Sequence, residues 1–220
     1  MTKRGLIIGN YNTAAELWTL TELVFGDPVQ ETNYVDVPGR RQGPLDLSAA
    51  LTDGDPVYGS RPLTATFESS EGTRLEREAR ISAMVNDLDG LRFNIVLPDD
   101  PHHYIVGRVS VAKLYNDLAH ASVKVTATCE PWRYNEAETV VALTAAATTK
   151  TATLLNSGRL AVVPLLEVRG GDVVLVYGAY SWGLSAGAYA LPDLLLQRGD
   201  NVVTYSGAGA LTFTYREAVL

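Results

Sequence analysis

Apolar and polar residues alternate with period two along most of the chain. In "PLTATFES", Leu63, Ala65 and Phe67 share one face and Thr64, Thr66 and Glu68 the other. "LRFNIVL" sets Leu91, Phe93, Ile95 and Leu97 on one side. "VKVTATC" sets Val123, Val125, Ala127 and Cys129 against Lys124, Thr126 and Thr128. Successive side chains of a strand point to opposite faces, so this alternation predicts half-buried strands. Proline and glycine clusters punctuate the runs about every ten residues, the spacing of an all-β domain.

One segment breaks the pattern. "TRLEREARISAMVNDLDG" opens with Thr73 and carries Glu76 three residues later, a capping box. Ile81, Met84, Val85 and Leu88 fall at i, i+3, i+4 and i+7, and Gly90 can supply the left-handed residue that ends a helix. The spacing predicts a helix lying across one face of a sheet, charged in its first half and core-facing in its second.

After "CEPWRY" (Cys129 to Tyr134) the composition shifts. Residues 135–158 are rich in Ala, Thr and Asn, and no lysine follows Val162. "VVPLLEV", "DVVLVYGAYSWG", "NVVTYSG" and "LTFTYREA" read as strands between Gly-rich turns. A domain break is placed near Asn135. Residues 1–134 then form a β domain with one helix, and 135–220 an all-β sandwich.

The bulk numbers exclude several classes. The chain has 220 residues and a net charge of -7, and its cations are scattered apart from Arg40-Arg41 and the helical group Arg74, Arg77 and Arg80. Phosphate affinity needs clustered cations, so neither specific nucleic-acid binding nor an acidic membrane surface is expected. The single cysteine, Cys129, excludes an internal disulfide and a thiolate cage. That fits reducing cytosol and equally a disulfide-free secreted protein. The apolar run in "MTKRGLIIGNYN" is too short for a signal sequence, and no run approaches the ~20 residues of a membrane span. A soluble protein is expected.

Each candidate for chemistry meets a plainer reading. "GLSAG" (Gly183 to Gly187) matches the nucleophile elbow, but that fold supplies its histidine after the serine. Here His102, His103 and His120 all precede Ser185, so a turn between strands is expected. His102 and His103 follow "LPDDP", yet strand neighbours point to opposite faces and cannot easily serve one ion. "TDGDPVYG" has Asp53 and Asp55 around Gly54 but lacks the glutamate that closes a calcium loop. "SGAGA" (Ser206 to Ala210) lacks the third glycine and following helix of a dinucleotide loop. Cys129 reads as a buried structural thiol. No catalytic, cofactor or metal site is expected, and no enzyme.

The stretch "VDVPGRRQGPLDLS" (Val35 to Ser48) sets Arg40 and Arg41 between Pro38-Gly39 and Gly43-Pro44. Cradling a phosphate needs a helix N-terminus behind the glycines, and none is evident. The reading is a rigid docking loop, with Arg40, Arg41 and Asp46 as candidate subunit-interface residues.

Three ordered sets of motifs resemble the distal tail protein family of long-tailed, non-contractile bacteriophages. The first is "VDVPGRRQGPLDLS" followed by "DPVYGSRPLTATF", with its Tyr-x-x-Arg ahead of an alternating strand. The second is "DLDGLRFNIVLPDDPHHYIVGRV" and then "ATCEPWRY". The third is "LLNSGRLAVVPLLEVRG" with "LLLQRGDNVVTYSGAGALTFTYREAVL", which carry an Asn-x-Gly turn, a Gly-x-Asn turn and a final Tyr-Arg strand. The doubled Arg40-Arg41 departs from the family's usual Arg followed by Asn or Asp and Gly.

The resemblance implies an N-terminal β-barrel-like domain with one helix, whose copies join in a hexameric ring, and a galectin-like C-terminal β-sandwich outside it. It also implies a place at the virion tail tip after synthesis in the host cytoplasm. The implied partners are the tail tube protein, the tail hub or tail-associated lysin, and receptor-binding or adhesion proteins, with DNA passing through unbound. The alternative function is a carbohydrate-binding β-sandwich, for which Trp182 in "AYSWGLSAGAY" is the candidate sugar contact.

Overall fold

Alternating sequence becomes strand wherever one face can be buried, and the chain does this in two compact units, Met1–Pro131 and Trp132–Leu220. The computed structural model describes residues 5–39, 42–50, 52 and 54–220. The first unit holds β1 (Ile7–Ile8), β2 (Tyr11–Asn12), β3 (Thr19–Phe25), β4 (Tyr34–Val35), β5 (Leu45–Asp46) and β6 (Arg61–Ser69). Then come α1 (Arg74–Leu88), β7 (Arg92–Leu97), β8 (Asp100–Asn116) and β9 (Ala121–Asn135), the last running on into the second unit. Seven of the eight strands of one sheet follow the order β2-β1-β7-β8-β9-β6-β3. This sheet curls into a half-barrel. Among the described residues β4 and β5 pair only with each other.

The register of β6 on β9, from Arg61 opposite Cys129 to Ser69 opposite Ala121, fixes the core. It puts Leu63, Ala65 and Phe67 beside Val123, Val125, Ala127 and Cys129, all buried. Ile81, Met84 and Leu88 of α1 pack into the same cluster with Trp18, Ile95, Ile105 and Val109. The capping box forms: Glu76 N donates to Thr73 Oγ1 at 3.3 Å and Thr73 N to Glu76 Oε2 at 2.6 Å. Such a cap contributes about 1 kcal/mol.

Two details differ from the sequence reading. Leu91 is half exposed and not on the inner face of β7, because its N–H still closes the helix end on Leu88 O and the strand starts at Arg92. The first half of α1 is not uniformly solvated either. Arg77 is 1% exposed.

The second unit comprises β10 (Thr139–Thr144), β11 (Lys150–Asn156), β12 (Leu165–Arg169), β13 (Val173–Tyr177) and β14 (Tyr180–Leu184), followed by β15 (Gly187–Ala190), β16 (Gly199–Gly207), β17 (Ala210–Tyr215) and β18 (Ala218–Val219). Two four-stranded sheets, β10-β17-β12-β15 and β11-β16-β13-β14, make a sandwich. Leu166, Val168, Leu211 and Phe213 of the first share a core with Leu154, Val173, Leu175, Val203 and Tyr205 of the second. β18 pairs with the end of β9, Ala218 opposite Tyr134.

"SGAGA" is the turn joining β16 to β17. Gly207 has φ +132°, and a Cβ there would lie 2.2 Å from Asp172 O, so only glycine lets the two backbones meet. Among the described residues no helix is long and apolar enough to cross a membrane.

Candidate functional site

Buried polar side chains are costly unless every hydrogen-bonding group finds a partner, so they mark where the fold is deliberately fastened. In the first unit the buried charged ones are Arg61 and Arg77, beside the hydroxyls of Thr13, Ser69 and Ser122. Arg77 Nη1 donates to Gly72 O at 2.6 Å, and Nη2 to Asp117 O at 2.9 Å and Leu118 O at 3.1 Å. Its Nε reaches Asn116 Oδ1 at 3.4 Å. One planar fork therefore ties the start of α1 to the tip of the β8–β9 hairpin. The Asp117 carboxylate accepts the amides of His120 and Ala119, and these bonds hold its carboxyl below the usual carboxylate range.

Arg61, from the Tyr-x-x-Arg motif, donates from Nε to Gly26 O at 2.7 Å and from Nη1 to Pro131 O at 3.3 Å. Its guanidinium carbon lies 3.9 Å from the centre of the Phe25 ring.

In the second unit asparagines take this part, and both come from the turn motifs of the sequence. Asn156 Nδ2 donates to Leu160 O at 2.9 Å and Leu196 O at 3.0 Å, while its Oδ1 accepts from Gly158 N. Asn201 Nδ2 donates to Leu154, Gln197 and Gly199 carbonyls, and its Oδ1 accepts from Gln197 N and Tyr177 Oη. The final Tyr-Arg pair works similarly. Tyr215 Oη donates to Leu155 O at 2.6 Å, and Arg216 reaches Asn135 O, Glu136 O and Glu138.

Between Thr19 and Ser60 no described residue is buried, and from Glu31 to Asp46 every described residue is exposed. This arm carries the β4–β5 pair, and its base is closed by Glu31 N to Val57 O and Gly59 N to Val29 O. The candidate interface residues Arg40 and Arg41 lie outside the described residues, as does Asp53. Asp46 is placed: its carboxylate accepts from Ser48, whose hydroxyl and amide hold its carboxyl low, and Ser48 Oγ in turn accepts from Asn33 N at 2.8 Å. Gly39 and Gly43 have φ of +83° and +81° with open space around them.

The other candidates fall where ordinary structure would put them. Ser185 sits in the exposed turn between β14 and β15, and its carbonyl accepts from Tyr189 Oη. His102 and His103 are in β8, which begins before them at Asp100. His103 Nδ1 meets Asp100 Oδ1 at 2.6 Å. Burial pushes the Cys129 thiol up to about 11, which suppresses thiolate chemistry. Among the described residues no three His, Cys, Asp or Glu side chains gather as a metal site would require.

Trp182 lies on edge strand β14, partly buried against the sandwich core, with Tyr180 stacked on it at 5.9 Å between ring centres. An open cleft of about 390 Å³ beside α1 is lined by Ile8, Tyr11, Glu16, Asp87 and Phe93. Burial, with Glu16 and Asp87 nearby, pushes the Tyr11 hydroxyl up to about 12, so it stays protonated. It holds no nucleophile with a base.

No protein-family model matches the sequence, and no curated protein matches it. The fold is similar to the crystal structure of SPP1 Dit (gp 19.1), described as a paradigm of the hub adsorption apparatus in phages infecting Gram-positive bacteria. The two superimpose with a TM-score of 0.67 at 14% identity, covering 96% of this chain and 98% of that one. At that identity the likeness is one of fold, and it takes in nearly the full length of both chains. This chain thus has the fold of the siphophage distal tail proteins that its ordered motifs resemble.

Proposed function

We propose that this protein is a structural component of a bacteriophage tail tip or baseplate. Its copies form a hexameric ring that connects the tail tube to hub and receptor-binding proteins. The observation that carries this reading is the fold likeness to SPP1 Dit, which takes in 96% of this chain and 98% of that one. The uncovered arm supports it, because several exposed apolar residues on one element, Val29, Tyr34, Val35 and Val37, mark a contact surface. In this reading residues 1–134 build the ring and the galectin-like sandwich of 135–220 hangs outside it. The hub or tail-associated lysin and the adhesion proteins dock on the assembly, and DNA passes through without specific binding. Arg40, Arg41 and Asp46 act at the subunit boundary.

Light scattering of the purified chain tests the reading. A hexamer, or a concentration-dependent step toward one, is expected, and alanine at both Arg40 and Arg41 should weaken it while leaving the monomer folded. A strict monomer at high concentration contradicts it.

The stacked Tyr180–Trp182 pair favours a second reading, a carbohydrate-binding sandwich, since sugar rings stack on exposed aromatic faces. A monomer that binds glycans on an array, and loses binding on Trp182→Ala, would support that alternative.

A further inference from the structure

We propose that the open cleft beside α1 binds a basic residue of a partner's peptide segment, an arginine or a lysine, between the carboxylates of Glu16 and Asp87. The occupant is a foreign chain and not a second copy, so this site lies beyond the assembly reading.

The cleft holds about 390 Å³, within the usual range of small-ligand sites. Tyr11 comes to it from β2, Glu16 from the loop that follows, Asp87 from the last turn of α1 and Phe93 from β7. The aromatic wall is fixed in place. Gly9, at φ +57°, approaches Phe93 so closely that a Cβ would lie 2.7 Å from the ring, and Gly9 N donates to Asn94 O at 2.8 Å. The Glu16 loop is fixed as well. Glu16 N donates to Asn12 O at 3.1 Å, Thr13 Oγ1 donates to Leu6 O at 3.1 Å, and Leu17 is held in the left-handed region at φ +64°. A site ordered before binding loses little entropy on association.

Charge selects the occupant. Glu16 and Asp87 are exposed, and among the described residues neither side chain makes a hydrogen bond or ion pair. Asp87 stands at the end of the helix that already carries partial negative charge, and the last turn of α1 has no basic residue. A carboxylate there is unfavourable in the free chain, and a bound cation relieves it. Arg80, the one described cation felt at the Tyr11 hydroxyl, acts on it less than either carboxylate does. The Arg80 guanidinium is also taken, by Ser69 Oγ at 3.2 Å and by Glu71 O.

Tyr11 adds a donor, so the site fits more than a bare cation. Trp18 is fully buried, and its indole N–H approaches the Tyr11 hydroxyl without closing a hydrogen bond. Burial keeps that hydroxyl protonated, which leaves its O–H to be donated. A basic residue within a peptide supplies each complement. Its cation meets the carboxylates, its stem or guanidinium face meets the rings of Tyr11 and Phe93, and a backbone carbonyl accepts from the hydroxyl.

The test is a titration of the full-length chain with acetyl-Gly-Arg-Gly-amide at low salt, followed by the indole N–H signals in proton–nitrogen NMR. The chain has three tryptophans, Trp18, Trp132 and Trp182, so three signals report. Saturable binding in the millimolar range is expected, moving the Trp18 signal and leaving the other two in place. The same peptide with citrulline for arginine, similar in shape but uncharged, should not bind. Glu16→Gln with Asp87→Asn should weaken binding about tenfold. No saturation, equal binding of the two peptides, or unchanged binding by the double variant overturns the proposal. Loss of self-association in the double variant, seen by light scattering, would make the occupant a second copy. That result overturns the foreign partner and leaves the ring reading standing.

Discussion

The first unit buries two arginines and leaves its longest insertion uncovered, whereas the second buries two asparagines and has no wholly exposed run of comparable length. The difference follows from reach and chemistry. Arginine offers five donors on a long stem and accepts nothing, so it suits carbonyls converging from separate loops. Asparagine both donates and accepts at short range, so it suits a turn closing on itself. Arg77 joins a helix start to a hairpin tip some forty positions on. Asn156 and Asn201 each seal a turn and then catch one strand or loop beyond it. The pins of the sandwich hold single turns, while those of the half-barrel hold separate loops together.

The comparison can be broken at its pins. Asn201→Ala should have the largest effect, since it strands three carbonyls and an amide and leaves the Tyr177 hydroxyl with Leu195 O alone. A loss of about 4 kcal/mol is expected from urea denaturation, with hydrogen exchange placing the lost protection in the second unit. Arg77→Ala should cost about 3 kcal/mol, with protection lost at 72–80 and 112–120. If Arg77→Lys matched the wild type, the forked geometry would be irrelevant.

A smaller effect is expected from acid. The Asp117 carboxyl is held below its ordinary value of 3.8 by backbone bonds from His120 and Ala119. Its contribution is therefore complete above that value and disappears as pH falls through the lower folded value. Hairpin-tip amides should lose protection in that acid window, and Asp117→Ala should abolish the dependence.

The smallest effect on stability should come from the arm. Val35→Asp with Val37→Asp should change the unfolding free energy of the monomer by no more than about 0.5 kcal/mol, yet oligomer should disappear by light scattering.

The strands were legible because Leu63, Ala65 and Phe67, or Val123, Val125, Ala127 and Cys129, alternate cleanly against polar neighbours. The helix start was legible because Thr73 and Glu76 interact locally. Arg77 was not legible. An arginine in the first turns of a helix looks solvated, and its burial depends on Asp117 and Leu118, far along the chain. Asn156 and Asn201 stood out only as letters of turn motifs, since the carbonyls they catch come from elsewhere. In the arm, read from the sequence as a docking loop, Val35 and Val37 are both exposed. Periodicity tells which residues share a face, and not whether anything covers that face.

Electron microscopy of the purified 23.7 kDa chain tests the central claim most directly. The account predicts face-on class averages showing a six-fold ring with a central opening, lost in the Val35→Asp, Val37→Asp variant. Monomers, or closed two-fold dimers, at every concentration would contradict it.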